Sequence, residues 1–153
     1  VVAERIRALP VSGTEQPVVD FFLALQRNAN AFDTEAIARA FAPVFLVATP
    51  DESRAQSNDA TLTRAIERWL QLLRQAGMRD VKALQIDPTV LSDSAALVQV
   101  RWSIWFTPEG RPDFVNEFLF DYVVALRDAG IEIVTVIAHD DDATLRQLMG
   151  LAA

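Results

Sequence analysis

The chain has 153 residues, 51% hydrophobic and 23% charged, with a formal net charge of −7. One domain of that length can bury a substantial core, and the acidic balance argues against nucleic acid or an anionic membrane as partner, since both select a basic footprint. There are no cysteines, which excludes disulfides, thiolate nucleophiles and cysteine-ligated metal. No apolar run approaches membrane-spanning length. The opening VVAERIRALP lacks a signal-peptide core, so the default expectation is a cytoplasmic protein.

In chain order, residues 1–13 mix apolar and charged positions without period and are expected to be a loosely attached lead-in. Thr14 can cap a helix that tolerates Pro17 in its first turn. Val18, Phe22, Leu25 and Ala29 then recur at helical spacing to about Asn30. Asp33 or Thr34 restarts the chain as a second, shorter helix through Phe41, ended by Pro43. The apolar run Phe45–Ala48 predicts a buried strand, and the polar segment Pro50–Asp59 a surface loop.

Asn58 or Asp59 caps a third helix with an apolar stripe of Leu62, Ile66, Trp69, Leu70 and Leu73. Gly77 stands where a left-handed residue would end it. Val81–Ile86 reads as a strand interrupted at Asp87-Pro88. Three long strands follow, over Ala95–Phe106, Asp113–Leu126 and Ile131–Ala138, joined by tight turns at Thr107–Gly110 and Arg127–Gly130. A last short helix over Thr144–Met149 is expected behind Asp140-Asp141-Asp142. Helices followed by hairpin-connected strands mean an α+β fold. The long strands should twist and curl with helices on the concave side. The whole of 1–153 reads as a single domain with its core over 14–139.

This element order, with Val18–Leu25 in the first helix, the Asp33–Phe41 helix, the Phe45–Thr49 strand and the strand run ending at His139, resembles the nuclear-transport-factor-2-like superfamily, which includes ketosteroid isomerases, SnoaL-like cyclases and scytalone dehydratase. The resemblance implies a cystatin-like cone of a curved, mostly antiparallel sheet with about three helices on its concave face. It further implies a deep pocket between helices and sheet, and a homodimer formed through the sheets. Ketosteroid isomerases use a first-helix tyrosine as oxyanion donor, but Val18-Val19-Asp20-Phe21-Phe22 offers only phenylalanine there. Their general base is an aspartate before a proline, where this chain has Thr49-Pro50. With both groups lost, proton abstraction beside a carbonyl has neither base nor donor at those places. One histidine and one tyrosine in the whole chain likewise argue against scytalone dehydratase-like chemistry.

The remaining candidates each carry two readings. His139, the only histidine, can act as a base with Asp140, Asp141 or Asp142 orienting it, or simply end a strand beside helix-capping aspartates. Asp121 interrupts an apolar strand, where a carboxylate is costly unless paired or functional. An ion pair with Arg101 is the favoured account. Phe22, Trp69, Trp102, Phe120, Tyr122 and His139 are expected to line a ligand pocket. Trp102 and Trp105 have opposite parity, so the strand that carries them presents apolar groups on both faces. The reading that follows is a pocket protein binding a small apolar molecule as a homodimer, with no cofactor and no metal. The alternative is an isomerase, cyclase or dehydratase-like enzyme using His139 or Asp121 as acid–base.

Overall fold

The computed structural model describes residues 15–139, so the expected lead-in over 1–13 and the tail helix beyond Asp140 lie outside the described residues. Helix α1 (Glu15–Asn30) buries Val18 and Phe22, one turn apart on its inward face. It ends at Phe32, whose φ of +54° is left-handed. The Asn28 carbonyl accepts from the Asp33 amide, closing the helix end. The Arg74 guanidinium lies 4.0 Å over the Phe32 ring and ties this corner to the third helix.

Asp33 caps the short helix α2 (Thr34–Arg39) by accepting from the Ala36 amide. This helix stops two residues earlier than the sequence predicts, because Phe41 already opens strand β1 (Phe41–Ala48). Pro43 sits inside that strand, where the pairing with its parallel neighbour slips and no ladder N–H is required of it. The segment expected as a loop contains strand β2 (Ser53–Ser57), which pairs antiparallel with β1 from Val44 to Ala48. Its polarity suits an exposed sheet edge, and that polarity hides it from an apolar-run search.

Asp59, and not Asn58, caps helix α3 (Ala60–Gln75), while the Asn58 amide bridges the carbonyls of Ala38 and Phe41. Gly77 follows at φ +90°, as the sequence predicts. Strand β3 (Met78–Ser92) runs unbroken through Asp87-Pro88, since at an edge Pro88 can turn its missing N–H outward. Strands β4 (Ala95–Phe106), β5 (Phe114–Arg127) and β6 (Gly130–Ala138) match the expected long strands closely.

The six strands form one sheet in the order β2-β1-β6-β5-β4-β3, with only the β1–β6 pair parallel. Register shifts in β1, β3 and β6 mark bulges, which bend and twist a sheet. Helix α1 lies along β3 and partly replaces a missing edge neighbour. The Asn30 amide donates to the Val81 carbonyl and accepts from the Val81 amide, both at 2.8 Å, and Gln26 accepts from the Ala83 amide. Alternation sets the core: Val98, Val100, Trp102, Ile104 and Phe106 of β4 pack with Tyr122, Val124, Val18 and Phe22.

Candidate functional site

Cross-strand register fixes which side chains share a face. Val98 pairs with Tyr122, Val100 with Phe120, Trp102 with Phe118 and Ile104 with Asn116, and all of these point toward the helices. On this side the Trp102 indole Nε1–H donates to the Tyr122 hydroxyl at 2.9 Å. Both side chains are buried. The Tyr122 ring packs 4.9 Å from Phe22 of α1. Phe118, Phe120 and Tyr122 follow one another in ring contact along β5, at 5.1 and 6.0 Å. Phe118 and Phe120 are only half-buried, as is Trp69 of α3, which packs against the same cluster. Among the described residues the Tyr122 hydrogen has no acceptor. Burial pushes the Tyr122 phenol far above its ordinary range, and the Trp102 N–H offsets this only in part. It is therefore a neutral O–H donor, polarised by the indole behind it.

The other face of the same strands carries a different constellation. Asp121 pairs in register with Gln99 and Ile137, one residue from Tyr122 but on the opposite side of the sheet. Its Oδ1 accepts from the Gln99 amide at 3.1 Å, and its Oδ2 lies 2.5 Å from His139 Nε2. This corrects two expectations. The partners of Asp121 are Gln99 and His139, because Arg101 stands opposite Leu119, two residues too far along the strand. His139 does not join Phe22, Trp102, Phe120 and Tyr122, because the β6 alternation and its contact with Asp121 place it on the outer face, with its side chain 41% exposed. Asp140, Asp141 and Asp142, the other expected partners of His139, lie outside the described residues.

Two further side chains escaped the sequence reading. Gln99 is a polar residue of Asp121 parity in the neighbouring strand, a pairing that becomes visible only once the register is known. Asn116 is buried among apolar neighbours, and its Nδ2 has no hydrogen-bond partner among the described residues. Its signal was present in the sequence. It is the one non-aromatic residue in the alternating set Phe114, Asn116, Phe118, Phe120, Tyr122. An open cleft of about 270 Å³ between α2 and α3 is lined by Glu35, Ala38, Arg39, Asn58 and Thr63, none of them in either constellation. Among the described residues no cluster of three or more His, Asp or Glu side chains is placed to hold a metal ion. No helix among them is long and apolar enough to cross a membrane.

A six-stranded, mostly antiparallel sheet with helices on one face defines the class as α+β and cystatin-like. Within that class the family described as NTF2-like protein (DUF6841) matches residues 14–141, and the chain belongs to it. Solved structures agree on the fold. An NTF2-like protein with a cystatin-like fold from Novosphingobium aromaticivorans superposes with a TM-score of 0.69 at 16% identity, covering 96% of this chain and 94% of that one. An NTF-2-like protein of unknown function from Shewanella oneidensis gives 0.61 at 18% identity, with 82% and 98% covered. A ketosteroid isomerase-like protein from Erwinia carotovora atroseptica gives 0.62 at 12% identity, with 83% and 95% covered. No curated protein matches the chain.

Proposed function

We propose that the helix-facing side of the sheet binds a small apolar molecule whose oxygen acceptor takes the hydrogen bond that Tyr122 offers. The observation that carries this reading is the buried Trp102–Tyr122 pair, which leaves an O–H donor without an acceptor among the described residues, beside half-buried aromatic rings. A buried donor costs stability unless something accepts from it. Ligand sites combine such an apolar lining with a few aimed polar groups. Phe22 and Trp69 supply apolar wall, and Phe118 and Phe120 supply floor. Titration with a long-chain methyl ketone tests the reading. The wild type binds it, and Tyr122→Phe binds about tenfold more weakly, the equivalent of one lost hydrogen bond. Equal affinity in the two proteins would refute the assignment of Tyr122.

The same reading includes a homodimer through the outer sheet face. That face leaves Val44 and Val115 each 60% exposed, and Leu46 and Trp105 about 40% exposed. Apolar side chains clustered on one sheet face favour a covering partner. Sedimentation at micromolar concentration should give a dimer for the wild type and a monomer for Val115→Glu. A monomeric wild type would remove this part of the proposal.

The Asp121–His139 contact supports a second reading, an acid–base enzyme. Gln99 holds one carboxylate oxygen and the other faces His139 Nε2, an arrangement in which a carboxylate orients an imidazole. Its position on the outer face, away from Tyr122, favours the binding reading over it.

A further inference from the structure

Asn116 is 8% exposed, its Nδ2 has no partner, and no hydrogen bond to its carbonyl oxygen is found among the described residues. Ile104 stands opposite it in β4. Leucine would fill nearly the same volume there without an unpaired amide, and an unsatisfied buried polar group calls for an explanation. Tyr122 is the second polar group on this face of β5, and its hydroxyl hydrogen, too, has no acceptor among the described residues. Between the two lie Phe118 and Phe120, which are half-buried although both flanking residues of the set are buried. The face of β5 therefore presents donor, ring, ring, donor in one line.

We infer that this line holds an elongated apolar molecule with a hydrogen-bond acceptor at each end, one accepting from the Asn116 amide and the other from the Tyr122 hydroxyl. The inference rests on the binding reading above and adds the shape and polarity of the ligand. The span follows from the secondary structure. Phe22 packs on Tyr122, while Asn30 holds Val81, which pairs with Ile104 opposite Asn116. From Phe22 to Asn30 is roughly 12 Å along a helix, and from Asn116 to Tyr122 roughly 20 Å along an extended strand. Both donors stand on β5, so the spacing of the two acceptors follows the strand distance, roughly 20 Å.

The probes are a linear diketone with a ketone near each end, in a series of increasing length, and a methyl ketone matched to each. The best-fitting diketone should bind the wild type about tenfold more tightly than its matched methyl ketone, the worth of one added hydrogen bond. Asn116→Leu should erase that preference, bringing the diketone and its matched methyl ketone to equal affinity. The same substitution should raise the melting temperature of the ligand-free protein by about 2–4 °C, because it removes an unpaired buried amide. If diketone and methyl ketone bind equally, or Asn116→Leu keeps the preference, the two-ended ligand is wrong while the Tyr122 reading stands. An Asn116→Leu protein that is less stable or fails to fold assigns Asn116 a structural role and overturns the inference. A wild type that binds neither ketone overturns both readings together.

Discussion

The Trp102 indole N–H and the Tyr122 hydroxyl meet at 2.9 Å between adjacent strands, in the part of the interior that faces Phe22. Each makes the other tolerable there. The indole needs an acceptor once buried, and the phenol offers one while keeping its own hydrogen free.

Removing the acceptor strands the donor. Tyr122→Phe leaves the Trp102 N–H unpaired and should cost about 1–3 kcal/mol of stability. Urea unfolding followed by far-ultraviolet circular dichroism measures this, and an unchanged midpoint would show that the pair carries no energy.

The same phenol gives the protein an alkaline limit. Its folded pKa lies above the ordinary value of 10.0, so the folded state keeps a proton that the unfolded chain releases. Stability associated with the neutral phenol is complete below pH 10 and falls as pH rises beyond it. The slope approaches about 1.4 kcal/mol per pH unit. Tyr122→Phe should lack that component, so the wild-type advantage over the variant should shrink steadily above pH 10. A constant difference across that range would contradict the burial of the phenol.

Gly77 should not accept a side chain. At φ +90° it is in the left-handed region, and an added Cβ would stand 2.8 Å from the Pro108 Cα. Its carbonyl also accepts from the Thr107 amide at 2.8 Å, locking the end of α3 to the β4–β5 turn. Gly77→Ala should destabilise by about 1–3 kcal/mol, read as a melting temperature lowered by several degrees.

Asn30 guards the β3 edge. Asn30→Ala removes both of its bonds to Val81, and hydrogen exchange at the Val81 amide should accelerate at least tenfold while amides at the centre of β4 are unaffected. Unchanged exchange at Val81 would mean that another group satisfies this edge.

His139→Ala separates the two functional readings. The pair it belongs to is partly exposed, and its loss should cost no more than about 1 kcal/mol. Under the binding reading, methyl ketone affinity is unchanged. A large loss of affinity would place His139 in the site.

The architecture was largely legible in the sequence because the long strands are extended apolar runs whose ends caps and glycines mark. Asp59, Gly77 and the turn ending in Gly130 fall where local chemistry demands them. What was not legible depends on pairing. Strand β2 has no apolar signature of its own and exists because β1 offers it a partner. Pro88 can stay in a strand only because β3 is an edge, a property of topology. The partner of Asp121 turned on register, since a shift of two residues in β4 decides between Arg101 and Gln99. His139 was assigned to the pocket from its position at a strand end, whereas its face is set by where β6 pairs with β5.

The most direct test of ligand binding on the helix-facing side is nuclear magnetic resonance of the aromatic side chains during titration with the methyl ketone. The account predicts that the ring signals of Phe118, Phe120 and Tyr122, and the Trp102 indole N–H, shift together and saturate while those of His139 stay in place. Shifts confined to His139 and the Gln99 amide, or no shift at any of these groups, would contradict it.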